Sequence, residues 1–152
     1  MNAVNRELLV CGVERRHCAL PLEHVVETMR PLPVESLPGT PRFVLGVSII
    51  RGAPVPVVDA AALLGTMAAH PSRFVLVRAG ARQVALAVDA VLGVRAIPRE
   101  SLHDLAPLLR DASAETIAAV GALEAALLLV LESARIIPES VWDALESRSA
   151  SR

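Results

Sequence analysis

The sequence predicts an all-β fold of about nine or ten short strands. Turn signals rich in Gly, Pro and Asp recur at intervals of roughly 8 to 12 residues, a spacing typical of barrels and sandwiches. A hairpin pattern of the form apolar, turn, Arg, apolar, acidic occupies Leu8–Glu23 and recurs at Phe74–Asp89. Two similar five-stranded barrels would produce this repeat. We therefore expect an all-β barrel or sandwich built from short strands.

Length and charge restrict the class of protein. The chain has 152 residues, which suits one domain or two small ones that share a core. Its net charge is −1, and its aromatic residues are two Phe and one Trp. A nucleic-acid-binding protein needs a basic surface or several aromatic rings for base stacking. The composition therefore gives no support to a nucleic-acid partner.

Hydropathy points to a protein without a membrane span. Hydrophobic residues make up 53% of the chain, yet no apolar run reaches the roughly 18 residues that cross a membrane. Met1–Glu7 is polar and short, unlike a secretion signal. We expect a cytoplasmic protein with no direct membrane insertion. Its apolar residues should form a large core, exposed partner surfaces, or both.

The chain begins with a predicted hairpin, followed by a loop. The hairpin turn falls at Glu14-Arg15, between two apolar runs, and the prolines of the loop break any regular element. The predicted elements are, in order, a strand over Glu7–Val13, a strand over His17–Leu20, a helical turn over Pro21–Val25, an extended segment over Val26–Met29 and an irregular loop over Arg30–Pro41.

Residues 45–59 form two apolar, strand-like runs with a break at Arg51-Gly52, where the glycine permits a sharp turn. Pro54 and Pro56 face the same way on the second run and remove two amide donors, which suits the edge of a sheet. Asp59 ends this run and is the expected N-cap of a short helix that stops at Gly65. The stretch predicts a small barrel with an exposed, charged edge rather than a catalytic centre.

The second half is predicted as two hairpins, a further strand and a terminal helix, joined by polar segments. The elements are a connector over Thr66–Ser72, a strand over Arg73–Arg78, a turn at Ala79–Ala81, a strand over Arg82–Val88, a turn over Asp89–Leu92, a strand over Gly93–Ile97, a surface loop over Arg99–Ser113, a hairpin of Thr116–Glu124 and Ala125–Leu131, a crossover over Glu132–Ile137 and a helix over Pro138–Ser147.

The two cysteines flank the first predicted turn. In that register Cys11 and Cys18 face one another across two strands, and a cytoplasmic chain would keep them reduced. A metal site would need two further ligands, and His17 points to the other face of its strand. We interpret both cysteines as buried structural thiols and expect no metal site.

The chain resembles the CheW family of chemotaxis coupling proteins over almost its whole length, from about Glu7 to Leu145. Any one of the matching segments is a weak signal, but five in the expected order and spacing are specific. The segments are Cys18–Glu27, Leu37–Pro41 with Phe43–Val47, Arg51-Gly52 with Val55–Asp59, Leu63–Gly65 and Ala85–Val94.

The resemblance implies two packed, SH3-like, five-stranded β-barrels with short helices and a C-terminal helix. It also implies a non-catalytic adaptor, or scaffold, in chemosensory signal transduction. Such an adaptor joins a CheA-type histidine kinase to methyl-accepting chemoreceptors, and the kinase's regulatory domain, which has the same fold, pairs with it barrel to barrel. In the family, receptor helices dock in the groove between the barrels. The matching positions here are Glu27, Gly46, Val47, Arg51 and Gly52.

The expected domain is a single CheW-like unit over residues 5–147. Its barrel halves are expected over roughly residues 20–70 and 71–135, completed by the terminal segments, with a flexible tail over residues 148–152. No cofactor is expected, and the isolated protein is expected to be a monomer.

The chemistry of these residues is compatible with docking a helix, which needs apolar anchors and a few charges for register. Val25, Val47 and Ile49 could supply the anchors. Arg51 can make bidentate contacts to a carboxylate, and Gly52 permits close backbone approach. Two other interpretations of Arg51 remain open here, namely a solvated arginine or an intrachain pair.

The candidate intrachain partners of Arg51 are Glu27 and Asp59. The chain also departs from the family pattern beside this arginine, because Ile49 stands where asparagine is usual. Ala60-Ala61 replaces the usual Leu-Arg after Asp59, and the two cysteines stand where aromatic residues are common. The alternative function is therefore a diverged CheW-like protein that binds the kinase or other array proteins without receptors. Such a protein would serve a non-standard pathway, governing surface motility or gene expression.

Enzymatic activity is disfavoured because the sequence contains no phosphate loop, His-Glu-x-x-His, Gly-x-Ser-x-Gly or Gly-x-Gly-x-x-Gly motif. A ligand carrier is disfavoured because five-stranded barrels are filled by their own side chains. The residues weighed for catalysis are His17, His24, His70, His103, Glu27, Asp59, Asp89, Cys11 and Cys18.

Overall fold

A computed structural model of the chain describes residues 5–13, 16–63, 71–98, 117–123, 126–131 and 139–150. The described part is mostly β-strand, as the sequence predicts. The elements are β1 Asn5–Val13, β2 Arg16–Pro21, a 3₁₀ turn Leu22–His24, β3 Val25–Met29, β4 Val44–Ile50, β5 Ala53–Asp59, α1 Ala60–Leu63, β6 Arg73–Ala79, β7 Arg82–Val88, β8 Ala90–Pro98, β9 Ile117–Leu123, β10 Ala126–Leu131 and α2 Glu139–Ala150.

The strands form two five-stranded sheets. The first sheet has the order β8-β1-β2-β10-β9, and the second has the order β3-β6-β7-β5-β4. The pairs β2–β10 and β5–β7 are parallel, and all other neighbours in the two sheets are antiparallel. The expected all-β class with two five-stranded units is therefore confirmed.

The sheets divide the chain at a different point from the expected boundary near residue 70. β6 and β7 belong to the second sheet, because β6 pairs with β3 and β7 pairs with β5 in parallel, with Val57 opposite Ala85. The first sheet combines the N-terminal hairpin with β8, β9 and β10. One half is thus continuous from β3 to β7, and the other joins the two ends of the described chain.

β6 and β7 are buried on both faces, and this explains much of the hydrophobic content. On β6, Val75 and Val77 lie in a core cluster that also contains Leu9 and Leu20 of the first sheet. The alternate residue Phe74 lies in a second cluster made by strands of the second sheet. Because side chains alternate between the faces of a strand, one apolar run fills two cores.

The C-terminal helix docks on the core with one face. Val141, Trp142 and Leu145 are buried in the cluster that joins the two sheets. The Arg82 guanidinium lies 4.8 Å from the centre of the Trp142 ring, and its Nη2 lies 3.2 Å from Oε1 of Glu146. A cation–π contact and an ion pair thus hold α2 to the start of β7. The predicted helix is confirmed, and it ends at Ala150 rather than at Ser147.

β8 begins at Ala90, so the predicted turn over Asp89–Leu92 is wrong. The Asp89 amide donates to the Gly12 carbonyl at 3.0 Å, and the chain passes directly from β7 into pairing with β1. The register shifts between Val10 and Cys11, which leaves Leu92 without an opposite residue. This is the geometry of a β-bulge.

The predicted positions of the two cysteines are confirmed. Cys11 lies directly opposite Cys18 on the neighbouring strand, and both are free thiols and fully buried. A hydrogen bond from Cys11 and burial raise the pKa of the Cys18 thiol well above its ordinary value. Cys18 is therefore a neutral core thiol at physiological pH. Several predictions lie outside the described residues, namely the turn at Glu14-Arg15, the helix end at Gly65, the loop over Arg99–Ser113, the crossover over Glu132–Ile137, and the positions of His70 and His103.

Asp59 caps α1 as expected. Its Oδ1 accepts a hydrogen bond of 3.0 Å from the Ala61 amide, and the residue is buried. Losing an N-cap acceptor costs about 0.5–2 kcal/mol. We expect Asp59→Ala to lower the free energy of unfolding by about 1 kcal/mol in a urea titration. Asp59→Asn keeps an acceptor and should stay close to wild type; equal losses in both variants would contradict the capping role.

Candidate functional site

A tight turn at Arg51-Gly52 forms one corner of the second sheet. It joins β4 to β5 with Ile50 paired to Ala53, so two residues make the loop. The φ angles are 52° at Arg51 and 82° at Gly52. A type I′ hairpin turn requires positive φ at both central residues, and glycine adopts it without steric cost. The role of Gly52 shown here is conformational.

Arg51 forms a bidentate ion pair with Glu27. Its Nε donates to Oε2 at 2.8 Å, and its Nη2 donates to Oε1 at 2.9 Å. Glu27 lies on β3 and Arg51 follows β4, and these strands are the opposite edges of the second sheet. The pair therefore links the two edges. Of the two proposed intrachain partners, Glu27 is the one observed, while Asp59 lies at the other end of β5 and caps α1.

The ion pair leaves part of the arginine accessible. The Arg51 side chain is 75% exposed and that of Glu27 is 28% exposed. A guanidinium carries five N–H donors, of which Glu27 accepts two, so three remain for water or a partner. Arg51 thus serves as an intrachain bridge while it keeps donors directed at the surroundings.

The hydrogen bond from Arg51 lowers the pKa of Glu27 below its ordinary value of 4.5. Because the folded-state pKa is depressed, the stabilisation that the ion pair gives the folded state is fully present above pH 4.5. It is lost as the pH falls through the lower folded-state pKa. We expect NMR titration of the Glu27 carboxyl carbon to show a pKa below 4.5 that rises in Arg51→Ala. Arg73→Ala is the control and should not move it. An unchanged Glu27 pKa in Arg51→Ala would show that the pair does not form in solution.

A segment of the loop after β3, residues 31–36, runs along the outer edge of β4; we call it the strap. The Glu35 amide donates to the Val47 carbonyl and the Val47 amide donates to the Glu35 carbonyl, both at 2.8 Å. The hydroxyl of the buried Ser48 donates to the Pro33 carbonyl at 2.7 Å. The strap therefore satisfies backbone groups of β4 that an open sheet edge would expose.

Gly46 allows the strap to approach. Its φ is +147°, and an added Cβ would lie 2.1 Å from the Glu35 carbonyl oxygen and 2.7 Å from the Glu35 carbonyl carbon. Both atoms belong to the backbone, so no side-chain rotation could relieve the clash. Gly46 is therefore a structural requirement of this corner, and the structure assigns it no surface of its own.

The strap and β4 enclose an open depression of about 430 Å³. Three of its lining residues are markedly exposed, namely Ile49 at 48%, Val34 at 38% and Leu32 at 36%. Val47 is only 3% exposed and also lines the depression. The complete lining is Leu32, Pro33, Val34, Glu35, Val47 and Ile49. The result is an apolar surface with one charged residue.

The structure brings most of the predicted site residues together. Val47 and Ile49 line the depression, and Gly46 supports its wall. Val25, the third proposed anchor, is half-buried and packs against the core that joins the sheets, outside this lining.

Sequence reasoning missed Leu32 and Val34. The available signal is an alternation of proline with apolar residues over positions 31–34. Prolines at this density predict a loop, and they do not indicate which apolar side chains face a neighbouring strand.

Pro54 and Pro56 lie on an interior strand rather than an edge strand, because β5 is between β7 and β4. Both prolines nevertheless lie in the part of β5 that pairs with β4 alone, since the pairing with β7 covers only Val57–Asp59. Val47 directs its backbone groups toward Glu35, so its pair with Pro56 carries no ladder hydrogen bond. The expectation of an edge strand was wrong, but the missing donors are tolerated for the expected local reason.

Two further findings bear on the function. Within the described residues, no group of three or more His, Cys, Asp and Glu side chains is arranged to hold a metal ion. Among the helices that the structure describes, none has both the length and the apolar character that a membrane span needs.

The chain is similar in sequence to known proteins. A family model described as the CheW-like domain matches residues 7–141. A probable chemotaxis protein CheW of Rhizobium etli is 26% identical over 95% of each chain. The chemotaxis protein CheW of Rhizobium meliloti is 30% identical over 91% of this chain and 92% of its own length. The protein FrzA of Myxococcus xanthus is 34% identical over 63% of this chain and 61% of its own length.

The fold also has a counterpart among solved structures. The crystal structure of the scaffolding protein TtCheW from Thermoanaerobacter tengcongensis superimposes with a TM-score of 0.71. The match covers 83% of this chain and 88% of the other, at 21% identity. At that identity the likeness establishes the fold alone, and it confirms the SH3-like arrangement expected for the two sheets.

Proposed function

Because the chain belongs to the CheW-like domain family, we propose that it is a non-catalytic adaptor that couples chemoreceptors to a CheA-type histidine kinase. It would act in the cytoplasm, reaching the membrane only through receptor arrays, and would need no cofactor. The observation that carries the receptor part of this proposal is the corner, where an exposed ion pair adjoins an apolar depression.

The corner suits a helical partner. A helix that docks in a groove uses apolar anchors for affinity and a small number of charges for register. Ile49, Val34 and Leu32 offer the apolar contact area, and Arg51 offers directional donors. The Glu27–Arg51 pair and the strap hold these groups in place before binding, which limits the ordering cost of association.

The kinase part of the proposal rests on the shared architecture. Each sheet of this chain has five strands, and the family resemblance implies that the kinase's regulatory domain pairs with such a unit through its own similar barrel. We propose that the kinase binds away from the corner. An adaptor must hold both partners at once, so their docking surfaces cannot overlap.

Pairwise binding assays test the proposal. Immobilised protein should retain a CheA-type kinase and a chemoreceptor fragment from the same organism, each at micromolar concentration. Gly80→Ala alters a turn with nothing within 4 Å of the new methyl group and serves as the surface control. Retention of neither partner by wild-type protein would refute the adaptor function.

The second candidate is a CheW-like protein that binds the kinase or other array proteins but not receptors. One observation favours it, since Ile49 is 48% exposed where the family usually carries asparagine. The same assay separates the two functions. Retention of the kinase together with no retention of any receptor fragment would favour the second candidate.

A further inference from the structure

The depression beside Arg51 is apolar in a way that restricts its occupant. Ile49 is the most exposed of its large apolar lining residues, and Val34 and Leu32 face the same space from the strap. The one ionisable lining residue, Glu35, has its backbone amide and carbonyl bonded to Val47. A polar group placed against Ile49 would lose water without gaining a partner from that side chain.

The neighbouring arginine restricts the occupant differently. After pairing with Glu27, the Arg51 guanidinium retains three N–H donors on a side chain that is 75% exposed. A cation with spare donors favours a cluster of acceptor oxygens or a negative partial charge. The last turn of an α-helix supplies both, because its final four carbonyl groups lack intrahelical partners and the helix dipole is negative there.

The spacing of the two features matches one turn of a helix. Ile49 lies in β4 and Arg51 lies in the turn that follows, with the extended residue Ile50 between them, so their Cα atoms are about 7 Å apart. Four residues of an α-helix rise about 6 Å. A helix that caps its last carbonyls on Arg51 can therefore place a side chain from the preceding turn against Ile49.

We propose that this corner selects a helix end that carries an aliphatic side chain one turn before its final carbonyl groups. The helix belongs to the tip of a receptor hairpin, and in this respect the inference rests on the proposed function. We assign the specificity to Ile49 because it is the most exposed of the large apolar lining residues and takes no part in the Glu27–Arg51 pair.

The test uses a synthetic helical hairpin with the tip sequence of a methyl-accepting chemoreceptor from the same organism. The test position lies one turn before the final carbonyl groups of the helix. The first version carries leucine there, the second carries asparagine there, and the third carries the leucine two residues further along the helix. Binding to wild type, Ile49→Asn and Ile49→Val is followed by fluorescence anisotropy. Ile49 is exposed, so all three proteins should fold, and equal urea midpoints would verify this.

Wild type and Ile49→Val should bind the first hairpin at least tenfold more tightly than the other two, and Ile49→Asn should lose that preference. Equal binding of all three hairpins by wild type would overturn the inference and leave the adaptor function standing. Binding of none of them, nor of the intact receptor fragment, would refute receptor coupling and the inference together. A preference of wild type for the asparagine version would also overturn the inference.

Discussion

Replacing Gly46 by alanine is expected to lower the free energy of unfolding by about 3–4 kcal/mol. Forcing a residue with a Cβ into a positive φ costs about 1–2 kcal/mol. The new methyl group would also lie 2.1 Å from the Glu35 carbonyl oxygen, so the strap must move. Moving it breaks the two Glu35–Val47 hydrogen bonds, at about 1 kcal/mol each.

Gly80→Ala is the matched control for this prediction. Gly80 also has a positive φ, of 69°, but nothing lies within 4 Å of the methyl group that alanine would add. It should therefore show the conformational cost alone, about 1–2 kcal/mol. Urea denaturation measures both variants, and an equal loss of stability in the two would mean that the strap does not depend on Gly46.

The same substitution at Gly46 should weaken receptor binding in the fraction that remains folded. Leu32 and Val34 reach the depression because the strap is held against β4, and a displaced strap removes both from its lining. The folded fraction of Gly46→Ala should still retain the kinase. Loss of both partners to the same degree would indicate general destabilisation rather than damage to the corner.

Reversing the charge at position 51 is expected to weaken receptor binding by about 10- to 100-fold. This factor corresponds to the free energy of one hydrogen bond to a charged group. Arg51→Glu removes the donors offered to the partner and places two carboxylates side by side, because Glu27 is the present partner at 2.8 Å. Kinase binding should change little. Surface plasmon resonance with each partner separately would measure the two effects.

A charge swap separates the two roles of Arg51. The double variant Glu27→Arg/Arg51→Glu can restore an ion pair between β3 and the β4–β5 turn, so its urea midpoint should return toward wild type. Receptor binding should stay weak, because a carboxylate at position 51 cannot donate to helix carbonyls. Recovery of receptor binding in the double variant would mean that the pair acts only by holding the sheet edges together.

Most of the fold could be predicted because its determinants are local. Turn residues separate short apolar runs, and Asp59 precedes a helix-prone segment as a cap should. The division into halves could not be predicted in the same way. The parallel pairs β2–β10 and β5–β7 connect strands that are distant in sequence, and no local pattern specifies which strands meet. The start of β8 was missed because Asp89 resembles a turn residue while its amide bonds to Gly12.

Part of the candidate site could be predicted because its determinants, too, are local in sequence. The turn at Arg51-Gly52 has a clear local signature, and Glu27 was one of two possible intrachain partners of Arg51. The choice between Glu27 and Asp59 needed the position of β3 relative to β4. The contribution of Leu32 and Val34 was hidden because a Pro-rich loop gives no periodic signal, and its path depends on contacts with Gly46 and Val47.

A co-sedimentation assay can show whether this chain physically bridges a receptor and a kinase. Vesicles carrying a chemoreceptor are mixed with a CheA-type kinase from the same organism, with and without this protein, and then pelleted. If the chain is such an adaptor, the kinase should enter the pellet in proportion to added wild-type protein, and Arg51→Glu should fail to carry it there. Kinase sedimentation that is the same with and without the protein would refute the adaptor function.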